Sequence, residues 1–362
     1  MLIVSASMGA GHDGAAYEIA RRIAAAGHEA RVVDLFDAAP RAAVWLWREV
    51  YRFQLRFAPQ WYERTYRLYY RPSRSWDRTL RVLRRITGPT LQREARNADA
   101  DVVVSTYALA TLILSELRAR GELTSPLVNF LTDFGVHPRT VHPAVDLHLT
   151  VHEVSAVDAR RLVSAPVIAT GPAVSPRVRE MLPDRDEARA ALDFKANDRV
   201  VIVAAGSWGV GSDLARTVRA LSVDGGFIVV TLCGRDERLR RRMLTAGHGQ
   251  ALGWTDQLPR YLAAADVLVE NAGGLTAMEA CAAGVPVVSY RPIPGHGRDN
   301  VHAMVRADIS TAPVGVVDLV KAVAELANDS PARSRRIEAQ RAMFRGDPAE
   351  EIIRIGRAHQ RS

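Results

Sequence analysis

One stretch, residues 266–300, constrains the fold of this 362-residue chain more than any other. Apolar runs at 267–270 and 285–290 have the length and composition of buried strands, and Gly273, Gly274 and a helix-forming segment lie between them. Two buried strands joined through a helix form a β-α-β unit, whose strands are parallel and covered on both faces. The stretch therefore predicts an α/β protein.

The same turn predicts a site for an anion. Neither Gly273 nor Gly274 carries a Cβ, so an anionic ligand can approach the backbone closely. The helix that follows directs the N–H groups of Gly274, Leu275 and Thr276, and the positive end of its dipole, at the same point. Glu279 lies about one helical turn beyond Thr276 on the same face, where a carboxylate can accept hydrogen bonds from a ribose diol. We interpret the turn as a phosphate seat; the alternative is an ordinary strand-glycine-helix turn that binds nothing.

The N-terminus repeats this pattern around a histidine. A short strand precedes a loop in which Gly9, Gly11 and Gly14 formally match the dinucleotide-binding fingerprint, with Asp34 at the spacing of a ribose-binding acid. Two details disfavour a nicotinamide or flavin site: Ser-Ala-Ser-Met intervenes before the first glycine, and His12 stands between the second and third glycines. Because ligands bind at the carboxyl edge of parallel sheets, we interpret His12 as catalytic. The alternative is a surface histidine.

Residues 41–93 form a basic and aromatic block. They hold thirteen arginines, no lysine and three acids, about +10, whereas the whole chain carries +8, so the remainder is near −2. Eleven of the 23 aromatic residues lie in the same block. This combination indicates contact with an anionic surface, and nucleic acid and anionic lipid are both candidates.

A helix in this block is expected to lie in a membrane interface. Arg48, Arg52 and Arg56 are four residues apart and share one helix face, and Pro59 is expected to interrupt the helix. Aromatic rings at headgroup depth, with arginines reaching phosphates, would hold the protein on the membrane without spanning it. The alternative is that half of the aromatic side chains pack into the domain and the arginines are solvated.

A third polar cluster follows the strand predicted at 127–132. It reads Thr132-Asp133-Phe134-Gly135-Val136-His137-Pro138, and acids and histidines at the carboxyl end of a strand lie where substrates bind. The alternative for Asp133 is a turn cap.

The chain is expected to divide at residues 171–176, which are rich in Pro and Gly. A second strand-helix array follows, with a glycine loop at Gly206 and Ser207 and a Gly253-Trp254 pair further on. Both halves are rich in β-α-β units, which predicts two Rossmann-like domains. Their predicted bounds are 1–170, which contains the 41–93 block, and 177–345, with a last helix in 346–362 that is expected to pack back on the first domain.

Three motifs together resemble a known family. They are Gly273-Gly-Leu-Thr-x-x-Glu279-Ala-x-x-x-Gly284-x-Pro286 with Pro294-Gly-x-x-x-x-Asn300, Ser5-x-x-x-Gly9-x-Gly11-His12-x-x-Ala15, and the Thr-Asp…His-Pro segment that starts at Thr132. They are similar to the signatures of glycosyltransferase family 28, which contains the monogalactosyldiacylglycerol synthases and the lipid-linked N-acetylglucosaminyltransferase of peptidoglycan synthesis.

The resemblance implies a GT-B fold, in which two Rossmann-like domains face a cleft. It implies an inverting transfer of a hexosyl group from a UDP-sugar, bound by the C-terminal domain, to a lipid acceptor such as diacylglycerol, bound by the N-terminal domain. The catalytic residues would be His12 as general base, with Asp133 in reserve, and the acceptor-binding residues Gly9, Gly11 and His137. The donor-binding residues would be Gly206, Ser207, Gly253, Trp254 (beside the uracil), Gly273, Gly274, Leu275, Thr276, Glu279, His296 and Asn300.

One segment departs from the family. Its sugar-recognition element usually reads Pro-Gly-Gln-Glu-x-x-x-Asn or close to it, whereas His296 and Gly297 here replace the amide and the carboxylate. A lost hydrogen bond to a substrate hydroxyl alters selectivity strongly. The sugar therefore stays open among galactose, glucose and N-acetylglucosamine.

This scheme requires no cofactor and no metal, because backbone N–H groups and a helix dipole would stabilise the leaving diphosphate. The formal D-x-D matches at 99–101 and 184–186 are interpreted as chance. Cys233 and Cys281 form no ligand pattern, so we expect buried thiols in a reducing compartment. With no basic leader and no apolar run of spanning length, the expected location is cytoplasmic and peripheral, at the inner face of the membrane.

Two rival functions stay open. A glycosyltransferase with a soluble acceptor, or a UDP-sugar epimerase on the same fold, would act without lipid. A nucleic-acid-binding protein would use the basic aromatic block and would show steep salt-dependent binding. Because the sequence contains no recognisable RNA or DNA module, no nucleic-acid partner is expected.

Overall fold

The structure is a computed structural model that describes residues 1–70, 74–211 and 213–361, with the side chains of residues 74–76 left aside. Arg71 and the Trp76 side chain, both counted in the basic aromatic block, lie outside these described residues. So does Ser212, where the sequence predicts the start of a helix.

The chain forms two compact units. Unit 1 comprises Met1–Ala173 and the C-terminal segment from Met343, and unit 2 comprises Val174–Ala342. The boundaries between the two units therefore fall at residues 173 and 343, whereas the sequence predicts them at residues 170 and 346.

Unit 1 is an α/β layer structure with a parallel sheet. The strands are β1 (Leu2–Ser5), β2 (Arg31–Asp34), β3 (Val103–Ser105), β4 (Leu127–Leu131), β5 (Leu147–Thr150) and β6 (Val167–Ala169). The helices are α1 (Ala10–Ala25), α2 (Arg41–Phe57), α3 (Pro59–Tyr70), α4 (Arg74–Asn97), α5 (Ala108–Ala119) and α6 (Glu153–Arg160). The sheet order is β2-β1-β3-β4-β5-β6, with all pairs parallel. β1, β3 and β4 are buried along their whole length, as expected for strands with helices on both faces.

Unit 2 repeats this architecture. The strands are β7 (Val200–Ala204), β8 (Ile228–Leu232), β9 (Gln250–Leu252), β10 (Val267–Glu270), β11 (Val287–Ser289) and β12 (Ser310–Thr311). The helices are α7 (Arg185–Ala191), α8 (Leu214–Arg219), α9 (Glu237–Ala246), α10 (Leu258–Ala264), α11 (Leu275–Ala282), α12 (His296–Arg306), α13 (Val316–Ala327) and α14 (Pro331–Ala342). The sheet order is β12-β11-β10-β7-β8-β9, again parallel throughout. β10 thus lies between β11 and β7, and the carboxyl ends of all three meet at one edge.

A last helix, α15 (Pro348–His359), belongs to unit 1. It is tied to the rest of the unit by the ion pair of Arg22 with Asp347, at 3.3 Å, and by Gln360, which donates to Asp101 at 2.9 Å. The backbone at Gly171 lies close to the backbone of Met343, where this C-terminal segment begins. Only glycine fits there, because a Cβ at residue 171 would lie 2.1 Å from the Met343 carbonyl oxygen.

The helix break predicted at Pro59 is confirmed, since α2 ends at Phe57 and α3 begins at Pro59. The two cysteines are confirmed as buried free thiols. Four elements were not foreseen in the sequence: α6, β9, α12 and β12. The most consequential is α12, because the segment expected to recognise the sugar is the first turn of a helix.

Candidate active site

His12 is held by the ends of two neighbouring strands of unit 1. It lies in the first turn of α1, and its Nδ1 is 2.9 Å from the Thr106 carbonyl oxygen and 2.9 Å from the Thr132 hydroxyl. A carbonyl oxygen can only accept, so the contact with Thr106 assigns the proton to Nδ1 and leaves the Nε2 lone pair able to take a proton. Tyr107 packs edge-on against the ring, with centroids 5.0 Å apart. The half-buried imidazole is therefore oriented in the tautomer that a general base requires.

The loop before His12 is fastened by a polar network. The Ser5 hydroxyl donates to Asp13 at 2.6 Å, and the Ser7 hydroxyl donates to the Asp34 carboxylate. Arg48 of α2 donates to Ser7 and forms an ion pair with Asp34. Arg48 is thus turned toward this loop, which corrects the expectation that it reaches outward with Arg52 and Arg56. Because Asp34 is engaged inside the protein, it is not placed to bind a ribose.

Gly9 and Gly11 lie on either side of the helix start. Gly9 is the N-cap residue of α1 and Gly11 is in its first turn, next to His12. Both are half-buried, so these two implied acceptor residues share the carboxyl edge of the unit 1 sheet with the imidazole.

Asp133 and His137 adjoin a group of tyrosines from α2 and α3. The His137 Nε2 is 2.6 Å from the Tyr66 hydroxyl, and its ring stacks on Tyr70 with centroids 4.2 Å apart. Burial raises the pKa of Tyr51 to about 12, and the charge of Asp133 adds to that rise. His137 is therefore built into a tyrosine cluster, and the half-buried Asp133 lies close enough to act on the same rings.

The aromatic residues of the basic block separate by type. Tyr62 and Tyr66 are buried, and Tyr51, Tyr69 and Tyr70 are half-buried. The tryptophans and phenylalanines of the same two helices are exposed: Trp45, Trp47, Phe53, Phe57 and Trp61. The described arginines of these helices other than Arg48 are also exposed: Arg41, Arg52, Arg56, Arg64 and Arg67. The tyrosines therefore pack inward as the second alternative expects, while the other rings and these arginines face solvent; contact of this exposed face with a membrane stays a prediction.

In unit 2, the glycine turn after β10 is braced from below. Glu270, buried at the end of β10, accepts hydrogen bonds from the backbone N–H groups of Ala272 at 2.7 Å and Gly273 at 2.5 Å, and from the Ser289 hydroxyl. Gly273 has φ +63°, and a Cβ there would lie 2.7 Å from the Asn300 Cβ. A Cβ on Gly274, by contrast, would meet no atom within 4 Å. The turn is therefore packed on its inner side and open at Gly274, where α11 begins.

Glu279 occupies the face of α11 that the sequence predicts. Leu275, Thr276 and Glu279 are all half-buried and lie within the first two turns of this helix. Burial raises the pKa of Glu279 to about 8. Within the described residues its carboxyl group has no hydrogen-bond or ion-pair partner. Such a group can accept from or donate to the hydroxyls of a ligand, which suits a ribose diol.

Gly206, Ser207, Gly253 and Trp254 also lie at this edge of the sheet. Gly206 has φ +68°, and the Ser207 carbonyl accepts from the Arg235 N–H at 3.0 Å. The guanidinium of Arg235 lies 4.6 Å from the centroid of Trp254, whose side chain is 56% exposed. An exposed indole beside β9 offers a face on which a base can stack.

Two residues of the segment around α12, Asn300 and Gly297, are packed inside unit 2. Asn300 is 1% exposed, and its amide donates to the Ala272 carbonyl at 3.0 Å. It therefore supports the glycine turn, and this corrects the expectation of a direct donor contact. A Cβ on Gly297 would lie 2.4 Å from the Ile293 Cγ1, so a longer side chain has no room here. His296, the first residue of α12, is half-buried and remains at the helix start.

Comparison with known proteins gives a match to a family model for each unit. Residues 12–174 match the family model described as monogalactosyldiacylglycerol (MGDG) synthase, and residues 212–343 match the model described as glycosyl transferases group 1. The α/β fold with two Rossmann-like domains and the resemblance to this glycosyltransferase family, both expected from the motifs, are thereby confirmed.

Several solved GT-B glycosyltransferases share the fold. The glycotransferase of kitacinnamycin gives a TM-score of 0.65 at 17% identity, with 98% of each chain covered. MurG of Acinetobacter baumannii gives 0.56 at 12% identity, with 100% of this chain and 99% of that chain covered. At such identities the likeness establishes architecture alone.

The curated relatives of this chain are more specific in name. The processive diacylglycerol beta-glucosyltransferase of Bacillus subtilis (strain 168) is 27% identical over 209 residues, which are 56% of this chain and 54% of that protein. The protein of the same name from Bacillus pumilus (strain SAFR-032) is 26% identical over 209 residues, with the same coverage. The chain thus spans about half the length of these curated relatives.

Sequence reasoning missed how three groups support the candidate site. Thr106 and Thr132 orient His12, and Glu270 holds the glycine turn through a buried network in which Ser289 contacts Ser310 at 2.7 Å. A signal existed for Glu270, because an acid at the end of an apolar strand run, three residues before a glycine pair, needs partners when buried.

The D-x-D matches have structural roles. Asp184 caps α7 by accepting from the N–H groups of Asp186 and Glu187, and Asp101 accepts from Gln360. In the described part of the chain, no group of three His, Cys, Asp or Glu residues is arranged to hold a metal ion. Nor does any described helix combine the length and apolar character needed to cross a membrane.

Proposed function

We propose that the chain transfers a hexosyl group from a UDP-sugar to a lipid acceptor such as diacylglycerol, with inversion, at an anionic membrane surface. The observation that carries this proposal is the turn at Gly273 and Gly274, which the buried Glu270 holds on its inner side and which is open at Gly274. An unpartnered carboxyl group, Glu279, lies on the helix that starts there. This combination suits a ribose with a diphosphate, the two parts common to every UDP-sugar.

The proposed chemistry is a single displacement. The Nε2 of His12 takes the proton of the acceptor hydroxyl while the hydroxyl oxygen forms a bond to the anomeric carbon of the donor. The bond from that carbon to the diphosphate oxygen breaks on the opposite side, and UDP leaves with the electron pair. N–H groups from Gly274 to Thr276 and the dipole of α11 would stabilise the charge of the departing diphosphate. No metal or cofactor takes part in the proposed scheme.

Asp133 remains the second candidate for the base. Its carboxylate follows β4 directly after Thr132, the residue that contacts His12. His137, Gly9 and Gly11 would line the acceptor side. Trp254 with Gly253 would adjoin the uracil, Gly206 and Ser207 the phosphates, and His296 the sugar.

The lipid acceptor is supported by the names of the relatives and by the outer face of α2 and α3. The matching proteins are named diacylglycerol glucosyltransferases, and the family model of unit 1 is named for a synthase of a diacylglycerol glycolipid. Exposed tryptophan and phenylalanine side chains beside exposed arginines fit an interface with anionic lipid. The proposed location is accordingly peripheral, at the cytoplasmic face of a membrane.

The function is tested by incubating the purified chain with UDP-glucose, UDP-galactose or UDP-N-acetylglucosamine and diacylglycerol in mixed vesicles. We expect one of the three to yield a glycosyl-diacylglycerol, detected by mass spectrometry. Consumption of a UDP-sugar at the same rate without lipid would instead support a soluble acceptor or an epimerase.

The membrane contact predicts a specific loss on substitution. Phe53 and Phe57 are 52% and 68% exposed and contact each other, with centroids 5.5 Å apart. Replacing both with serine should lower binding to phosphatidylglycerol vesicles by about tenfold or more, since each buried phenyl ring contributes roughly 1.5–3 kcal/mol. Flotation measures the bound fraction.

The matched control for this pair is Val314→Ser. Val314 is 94% exposed in unit 2, so its loss removes exposed apolar surface without touching α2. Equal flotation of the double variant and the wild type, or no dependence on anionic lipid, would contradict the membrane proposal.

A further inference from the structure

An ion pair crosses the carboxyl edge of the unit 2 sheet beside the glycine turn. Arg291 follows β11 and donates through Nη1 to the carboxylate of Asp213, which precedes α8. β11 and β7 are the two neighbours of β10, so the loops that follow them reach past the end of β10 to meet each other. The strand that they flank is the one that carries Gly273 and Gly274.

Both loops are fastened to Asn271, two residues before Gly273. The Asn271 side-chain amide donates to the Val210 carbonyl at 2.8 Å, and its own carbonyl accepts from the Ile293 N–H at 2.8 Å. The Tyr290 N–H donates to the Glu270 carbonyl at 2.8 Å. Arg291 therefore sits on a loop that is hydrogen-bonded on both sides to the residues leading into the turn.

Both partners of the ion pair have a positive φ. Arg291 has φ +50° and Asp213 has φ +51°. Among the described residues with positive φ other than glycine, the remaining members are Asp99, Asp193 and Asp308, and aspartate tolerates this region far better than a bulky side chain does. Arg291 is thus the one long side chain among these residues, and such outliers cluster at ligand-binding sites.

The Asp213 side chain does not cap the helix that follows it. It stands at the N-cap of α8, where a carboxylate commonly accepts from helix N–H groups, yet its side chain makes no capping hydrogen bond. Hydrogen bonding to Arg291 holds the pKa of the Asp213 carboxyl below its ordinary value. The pair is substantially solvent-accessible, with side-chain exposures of 29% for Arg291 and 59% for Asp213, so an anion from solution can compete for the guanidinium.

We propose that Arg291 is the cation that binds the diphosphate of the donor, and that Asp213 holds it in place until the diphosphate displaces the carboxylate. This inference rests on the proposed UDP-sugar donor and assigns the charge partner of its phosphates. A guanidinium can contact two phosphate oxygens at once, and it would neutralise charge that develops on the leaving group. Asp213 acts as a positioning residue that keeps the guanidinium oriented in the absence of donor.

The test compares uridine with UDP in calorimetric titrations, so that the contribution of the diphosphate is measured separately from that of the nucleoside. Asparagine tolerates positive φ, so Arg291→Asn removes the cation without adding backbone strain. We expect Arg291→Asn to weaken UDP binding roughly ten- to a hundredfold and to leave uridine binding within about twofold. Arg291→Lys, which retains the charge, should recover part of the loss.

Asp213→Asn gives the opposite expectation. With its competitor removed, Arg291 should bind UDP about two- to fivefold more tightly, because an exposed ion pair contributes little. Arg241→Gln is the control, since Arg241 is an exposed arginine of α9 paired with Glu237 at 3.6 Å. It should leave both affinities unchanged.

The outcomes separate this inference from the proposed function. A wild-type chain that binds neither uridine nor UDP overturns both. UDP binding with an unaltered UDP-to-uridine ratio in Arg291→Asn overturns only the role of Arg291. Weaker UDP binding in Asp213→Asn overturns the exchange between carboxylate and diphosphate. Thermal unfolding of each variant, measured alongside, identifies any loss of UDP binding that is due to misfolding. If Arg291→Asn misfolds, the comparison of Arg291→Lys with the wild type decides instead.

Discussion

Replacing His12 with alanine should lower glycosyl transfer by roughly a hundredfold to ten-thousandfold, the range that a general base contributes. The reason is geometric: with the Nδ1 proton donated to the Thr106 carbonyl, Nε2 is the atom that would take the acceptor proton in the proposed scheme. Affinity for UDP should stay unchanged, because the proposed donor residues belong to unit 2 and His12 belongs to unit 1. Initial rates and calorimetric titration with UDP measure the two quantities.

Two further variants make this result decisive. His248→Ala removes an imidazole in unit 2, outside every motif assigned to the site, and should leave the rate unchanged. Asp133→Asn tests the second candidate base. A near-normal rate in His12→Ala together with a large loss in Asp133→Asn would transfer the role of base to Asp133.

Alanine should destabilise unit 2 at the first of the two glycines after β10 and leave its stability unchanged at the second. Gly273→Ala is expected to destabilise unit 2 by more than about 2 kcal/mol, since it adds a Cβ at positive φ and in collision with packed atoms. That Cβ would lie 2.7 Å from the Asn300 Cβ and 2.9 Å from the Met304 sulfur. Thermal or urea unfolding measures the change.

Gly274→Ala is the matched control for stability and a test for the ligand. With φ −91° and no atom within 4 Å of the added Cβ, it should unfold like the wild type. A methyl group in the open seat should nevertheless weaken UDP binding by about tenfold, because it holds the phosphate away from the N–H groups. Full UDP affinity in a stable Gly274→Ala variant would place the diphosphate elsewhere.

Much of the fold follows from local patterns. Short apolar runs, several of them followed by glycine and a helical segment, predict most strands and helices of both units because burial and turn chemistry act over neighbouring residues. The elements that were missed have weak local signals. β12 is two residues long, and the α12 sequence begins with His-Gly-Arg-Asp, which carries no apolar stripe.

The chain by itself also determined the residue types at the site, since His12, the glycine pair and Glu279 are recognisable from spacing along one strand-helix unit. The tertiary structure alone decided how they are held and which way their neighbours face. Thr106 and Thr132 meet His12 across 94 and 120 residues, and Arg291 meets Asp213 across 78. In the tertiary structure Arg48 points toward the loop before His12, and Asn300 is buried. The tyrosines of α2 and α3 are buried or half-buried, whereas the tryptophans and phenylalanines of the same helices are exposed. Contacts of this kind depend on which elements the sheet order brings together, and no local periodicity encodes that order.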